Sequence, residues 1–392
     1  MKRLIPLAAL SSIAACAPSH LSGAEEEAAL LAERRIWWAN PHHALEVETM
    51  RPLETVKGAA SEPLPAGDPA LAKPLREAGL GALGDAGAAA LLVWHDGALQ
   101  LEYYGEGYGP DMLSAPASMP KPVLALAIGA AVDQGLLSLD EPVSLHITEW
   151  RNDPRGKITL RQLLQMRSGL QKYGATSTGG AAEQLMLGTR LEDLLLETPL
   201  TGTPGARFDY NNIDNATAML VLQRAIGTHY AAFLSRNIWQ KIGARDAHVW
   251  LDRPGGMPRT FCCLLATPRD WVRVGLLIRD MGAWQGQQIV SRGYMEQMIA
   301  PSPTNPSYAF QLWRGTDARS RSYGSGTAPA LQVGEPYAVD DLLILDGAIG
   351  QRVYISAKLG LVIVRIGEMA PDWRDSALPN AIIAALGADA AD

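Results

Sequence analysis

The order of patterned segments predicts an α+β fold: an antiparallel sheet assembled from both chain ends and flanked by helices, with a mostly helical part inserted between them. Three observations carry this expectation. A hairpin pattern begins near residue 89, helical patterns then dominate residues 137 to 300, and strand-like runs return from residue 336 before a last helical segment. No internal repeat is evident. With 392 residues, 47% of them apolar, the chain is long enough to bury a sizeable core.

The first sixteen residues read as a targeting segment rather than as part of the fold. "MKR" is a short positive region, and "LIPLAALSSIAA" is apolar but too short for a stable membrane span. "IAAC" ends it, and this small-residue pair before Cys16 resembles the lipobox of bacterial lipoproteins, which implies lipidation of Cys16 and a location in the periplasm or cell envelope. Residues 17–60 lack a sustained period and read as a tether and an N-terminal arm, with His42 and His43 solvated on it. Residues 61–392 are expected to form the main folded domain.

Within that domain each element has its own signal. "AALLVWHDGALQLEYYG" holds two β-rich runs around Asp96-Gly97, a strong hairpin turn. "PVLALAIGAAVDQGLL" is apolar on every side, as a buried helix is. "ITLRQLLQMRSGL" carries Leu160, Leu163 and Leu164 at helical spacing and stops at Ser168-Gly169. "LEDLLLETPL", "ATAMLVLQRAIG", "YAAFLSRNIWQKIG" and "PRDWVRVGLLIRDMG" continue the helical part. "PYAVDDLLILDG", "QRVYISAKLG" and "LVIVRIGE" read as strands, and "DSALPNAIIAALGA" as the closing helix.

Charge and cysteine usage exclude several function classes. The net charge is −7, from 34 basic and 41 acidic side chains, with no basic tract for nucleic acid. Only three cysteines occur. Cys262 and Cys263 are adjacent and no histidine lies at ligand spacing near them, so they read as a small apolar pair rather than a metal site. A vicinal disulfide is the alternative. No Gly-x-Ser-x-Gly elbow occurs, and "GEGYGP" does not open a helix as a dinucleotide site requires.

The chemistry concentrates at "SMPK". Pro120 and Pro122 are tolerated only in the first turn of a helix, which places Ser118 at a helix start, beside unsatisfied N–H groups. Lys121 follows one turn later on the same face, and a desolvated lysine can act as base for a serine that is a poor nucleophile alone. "RFDYNN" supplies Tyr210, able to relay a proton to a leaving group, and Asn212, able to hold the lysine or a substrate carbonyl. In "LDGAIGQRVYIS", Gly347 and Gly350 allow a close approach to the backbone, and the N–H of Gln351 can serve as an oxyanion donor.

Taken together and in this order, these pieces resemble the serine β-lactamase and penicillin-binding-protein superfamily, and most of all its class C-like branch of esterases and aminohexanoate-dimer hydrolases. "SMPK" matches the family's SxxK and "YNN" its YxN; "GLLSLDEPV", "PGARFDYNN" and "LATPRDWVRVGLLIRDMG" match its flanking phrases. The resemblance covers residues 85 to 387. It implies a β-lactamase-like fold, Ser118 as acylated nucleophile, Lys121 as base, Tyr210 as proton relay, and oxyanion donors at Ser118 and near Gln351. It implies no metal and no cofactor. One departure stands out: where the lactamase-type third motif has a cation, a hydroxyl and Gly, this chain has Ala348, Ile349 and Gly350. An apolar pair there suits uncharged acyl groups, so the expected substrates are carboxylic esters or small amides rather than penicillins. A peptidoglycan peptidase or weak β-lactamase is the enzymatic alternative, and a silent cell-wall-binding module the non-enzymatic one.

Overall fold

The computed structural model describes residues 23 to 387 except 41, 61–62, 85–86, 175–178, 327–328 and 370. Cys16 and the targeting segment lie outside the described residues. At the centre stands a six-stranded antiparallel sheet. Its strands are β2 (Ala90–His95), β3 (Ala98–Tyr104), β6 (Trp313–Arg314), β7 (Leu343–Gly347), β8 (Gln351–Ser356) and β9 (Leu361–Ile366). They lie in the order β3-β2-β9-β8-β7-β6, so the first hairpin pairs with the last strands of the chain, as expected. Asp96 and Gly97 both have positive φ, 47° and 81°, which fits the tight turn between β2 and β3.

The sheet is covered on both faces, which is why its central strands read as unbroken apolar runs. Helices α2 (Pro69–Leu83) and α6 (Ala377–Ala385) pack on one face, where Leu91, Val93, Ile344 and Ile363 meet Leu75, Leu378 and Ile382. Helix α5 (Pro268–Arg279) packs on the other, against Leu92, Val353, Val362 and Val364. Gly275 of α5 lies so close to the sheet that a Cβ there would sit 2.5 Å from Val362. Helix α3 (Lys121–Asp133) is buried from Lys121 through Ala131, as its apolar sequence demands. Helix α4 (Asn212–Ile226) is capped by Asn211, whose side chain accepts from the Ile213 N–H at 3.1 Å.

The N-terminal arm departs from the sequence reading. Gly23–Ala39 forms a helix, α1, and Leu53–Val56 a strand, β1. β1 joins an antiparallel sheet of three strands with β4 (Ala247–Trp250) and β5 (Leu264–Leu265). α1 is held by hydrogen bonds more than by an apolar stripe. Arg34 is 3% exposed and donates to the carbonyls of Leu187, Gly188, Arg51 and Leu251 at 2.8–3.1 Å. Its guanidinium also sits 5.0 Å over the Trp250 ring, on which Arg259 packs at 4.7 Å. A helix docked by one arginine and two indoles carries no hydrophobic period, so residues 17–60 cannot be recognised as part of the folded body from periodicity.

One buried carboxyl gives the fold a pH dependence. Asp214, in the first turn of α4, accepts from the Ser168 hydroxyl at 2.5 Å and the Ser168 N–H at 3.2 Å. Burial nevertheless outweighs these bonds and pushes its pKa up to about 8. The unfolded chain releases this proton near pH 4, so the stabilisation is complete below that value and is lost as pH rises toward 8. Asp214→Asn is therefore expected to flatten the fall in melting temperature between pH 5 and pH 8. Thermal unfolding followed by circular dichroism at three pH values measures it; an unchanged slope would show that Asp214 is not the group responsible.

Candidate active site

The Ser118 region is built by the turn that leads into α3. Ala117 has φ 49°, an uncommon conformation for a residue with a side chain, and Ser118 follows it directly. The Lys121 N–H donates back to the Ser118 carbonyl at 3.2 Å, which closes the turn as the helix begins. Lys121 then extends along the helix start, so that its Nζ lies 2.7 Å from Ser118 Oγ and 2.7 Å from the Phe261 carbonyl oxygen. The lysine is 0% exposed.

Burial decides the protonation states here. It lowers the Lys121 pKa well below the ordinary lysine value, with the Asp346 carboxylate pulling the other way. A neutral amine has two N–H groups and one lone pair. One N–H is satisfied by the Phe261 carbonyl, and the Tyr210 ring centroid lies 4.9 Å from Nζ to receive the other. When the amine is neutral, its lone pair can face the Ser118 hydroxyl 2.7 Å away. Burial also raises the pKa of Tyr210, and a hydrogen bond with Ser118 opposes that rise only in part, so Tyr210 stays a phenol. The set can therefore take a proton from serine at lysine and give one from tyrosine.

Tyr210 is held in place by rings. It stacks on Trp313 at 5.7 Å and meets Tyr308 and Tyr323 edge-on at 5.9 and 5.4 Å. Behind Trp313 and Tyr323 lies a buried charge cluster that sequence reading did not find. Arg321 and Arg352 face Asp346 and Asp375, with nitrogen-to-oxygen distances of 2.6–3.1 Å. Tyr323 donates its hydroxyl to Asp346 at 3.1 Å, which ties the cluster to the ring cage.

The other expected site residues fall out differently. Asn212 reaches the pocket, but its Nδ2 lies 3.9 Å from the Met186 sulfur rather than on Lys121, and its buried Oδ1 has no partner among the described residues. Gly350 does not face the pocket: a Cβ there would meet Arg365 at 2.4 Å. The Gln351 side chain is fully buried and turned to Gly367, donating to its carbonyl at 2.7 Å and accepting from its N–H at 3.2 Å. The strand-end residues that line the pocket with Ser118 are Ala348 and Ile349. Gly347 makes this possible, because a Cβ there would lie 2.1 Å from the Pro116 carbonyl oxygen. The expected oxyanion donor is the backbone N–H of Gln351, the residue that opens β8 directly after the Ala348–Gly350 turn.

Cys262 and Cys263 form a vicinal disulfide, not the reduced apolar pair favoured from sequence. It follows Phe261 directly and lines the pocket next to Ser118. The remaining wall comes from the N-terminal arm and its neighbour Trp250: Trp37, Trp38, His43 and Ala44 all border the same cavity of about 120 Å³. His43 is thus not a solvated loop residue, since its ring packs 5.0 Å from Trp37 and 5.3 Å from Trp38. Two tryptophans in an otherwise Ala- and Glu-rich segment were the one sequence signal that could have marked this wall.

Comparison with known proteins agrees with this geometry. A family model described as Beta-lactamase matches residues 77–336. The 6-aminohexanoate-dimer hydrolase of Paenarthrobacter ureafaciens is 26% identical over 224 residues, 54% of this chain and 57% of that protein. Esterase EstB of Burkholderia gladioli is 30% identical over 150 residues, 35% of this chain and 38% of that protein. The matched stretch thus spans little more than half of the first relative and less of the second. Among solved structures, a Bacillus anthracis protein provisionally named a 6-aminohexanoate-dimer hydrolase superposes with a TM-score of 0.68 at 22% identity, covering 91% of this chain and 93% of its own. The hydrolase EstCE1, with promiscuous acyltransferase activity, gives 0.61 at 15% identity, covering 81% and 98%. The family model covers well over half of the chain, and with the fold and the Ser118–Lys121–Tyr210 cluster it sets the conclusion: this protein belongs to the Beta-lactamase family.

Proposed function

We propose that the chain is a serine hydrolase that cleaves carboxylic esters or small amides through an acyl-enzyme on Ser118. The observation that carries this reading is the 2.7 Å approach of the fully buried Lys121 Nζ to Ser118 Oγ. In the proposed cycle, Lys121 Nζ takes the serine proton as Oγ attacks the acyl carbon. The N–H groups of Ser118 and of Gln351 stabilise the oxyanion, and Tyr210 delivers a proton to the departing oxygen or nitrogen. Water then attacks the acyl-enzyme, with the same groups working in reverse. The names of the relatives, a dimer hydrolase and an esterase, support this class of substrate. The apolar Ala348 and Ile349 argue against substrates that need a cation at that position. The lipobox-like Cys16 supports a location in the cell envelope.

Intact-mass spectrometry after treatment with a fluorophosphonate tests the reading. A single adduct that maps to Ser118 and is absent from folded Ser118→Ala is the expected result. Folded wild-type protein without an adduct would refute it and favour a binding module.

A further inference from the structure

The cavity beside Ser118 has a second character that the catalytic set does not explain. Among the described residues it is lined by no carboxylate, lysine or arginine, and its polar side chains are Ser118, Asn212 and His43. The rest is aromatic, aliphatic or disulfide sulfur. At about 120 Å³ it is close to the size of an apolar cavity, roughly 150 Å³, that admits a benzene ring. A carboxylate placed there would lose its hydration with no arginine or lysine among the described lining residues to replace it.

Much of the wall comes from outside the family-matched stretch, which begins at residue 77. Trp37 and Trp38 stand at the end of α1, and His43 and Ala44 follow. The end of α1 is rigidly placed. Arg34 bonds it to four carbonyls, Trp37 is 7% exposed and donates its indole N–H to the Glu46 carbonyl at 2.9 Å, and Trp37 meets Trp250 edge-on at 5.3 Å. Trp38, only partly buried, is the member of this group that can set the depth of the cavity without holding the fold together.

We infer that α1 is the specificity element of this enzyme: its end, with Trp38 and His43, closes the acyl side of the site and restricts it to short, uncharged, apolar acyl groups. This rests on the acyl-enzyme reading above. The test separates the two. Protein first shown to take the fluorophosphonate on Ser118 is assayed with p-nitrophenyl acetate, butyrate and octanoate and with the mono-p-nitrophenyl ester of succinic acid. Failure to label refutes the hydrolase reading itself. For labelled protein, kcat/KM is expected to be at least about tenfold higher for butyrate than for octanoate, and about a hundredfold higher for butyrate than for the succinate ester, whose acyl group differs by a carboxylate. Trp38→Ala is expected to raise the octanoate-to-butyrate ratio by about tenfold and to leave the discrimination against succinate in place, because no charge is added. Trp38→Leu, which keeps apolar bulk, is expected to fall between and serves should the alanine variant unfold. An octanoate-to-butyrate ratio unmoved in both folded variants, or a wild type that accepts the succinate ester as readily as butyrate, overturns the inference.

Discussion

Lys121→Met is expected to slow acylation of Ser118 by about 10²–10⁴-fold, the range attributable to a positioned general base. Methionine has nearly the length of lysine and no proton acceptor of comparable strength, so the change removes the base and keeps the packing. The effect on stability should be far smaller. Two terms oppose each other. Removing the amine leaves the buried Phe261 carbonyl without its partner at 2.7 Å, a cost of about 1–3 kcal/mol. Against this, an amine no longer has to be held out of water, a gain of similar size. The fold should therefore survive within about 2 kcal/mol of wild type while turnover collapses. Single-turnover labelling by the fluorophosphonate, read beside thermal unfolding, separates the two quantities. The pH profile adds a check. Burial holds the Lys121 pKa well below the lysine range, so acylation should rise with pH and level off before a free lysine would begin to titrate. The groups that bear on this titration are Ser118, the Phe261 carbonyl, Tyr210 and Asp346. Retained acylation in a folded Lys121→Met protein would remove the lysine from the mechanism.

The sequence made some of this legible and hid the rest for identifiable reasons. Asp96-Gly97, the apolar runs of β2 and β9, and the all-apolar α3 each satisfy a local rule, and local rules are readable. The closeness of Ser118 and Lys121 was readable because two prolines fix where α3 can begin and because a lysine one turn on must share the serine's face. The wall of the site was not readable. α1 is docked by the side-chain bonds of Arg34 and by indole packing, neither of which leaves a period in the sequence. The Cys262–Cys263 bond was hidden because adjacent cysteines look the same as a small apolar pair until their sulfurs are placed. The close approach of the strand end to the serine loop was hidden because motif spacing does not show Gly347 meeting the Pro116 carbonyl. The charge cluster escaped because its members, from Arg321 to Asp375, are scattered along the chain; β7 and β8 pairing sets Asp346 beside Arg352, and Arg321 and Asp375 reach them from other segments.

That cluster underlies the largest expected effect on stability. Asp375 is 0% exposed and accepts from Arg321 at 2.8 Å, from Arg352 at 2.7 Å and from the Tyr337 hydroxyl at 2.8 Å, with the Trp373 indole N–H at 3.2 Å. Burial alone would raise its pKa, but the two guanidiniums win and hold the carboxyl below the usual carboxylate range. Asp375→Ala leaves two buried arginines to share Asp346. Removing one partner of a buried ion pair costs about 3–5 kcal/mol, because the charge left behind is neither solvated nor paired. The variant is therefore expected to unfold at markedly lower denaturant concentration, or to fail to fold at ambient temperature. Replacing all four charges by apolar residues of similar volume should cost much less, since a buried ion pair as a whole contributes little beyond its own desolvation. The sign with pH follows from the depressed pKa. The stabilisation by Asp375 is present above about pH 4, where the unfolded carboxyl ionises, and is lost as pH falls below that toward the folded value. Denaturant midpoints for wild type and Asp375→Asn, measured at pH 7 and pH 3.5, check this. The asparagine keeps the shape and part of the hydrogen bonding but not the charge, so the gap between the two proteins should narrow on acidification. A gap that stays constant would mean that hydrogen bonding and packing, not charge, make Asp375 necessary. Tyr323 bonds to the neighbouring Asp346 and packs against Tyr210, so loss of the cluster should also loosen the proposed proton relay. Lower kcat in a still-folded Asp375→Asn protein would be the functional trace of that connection.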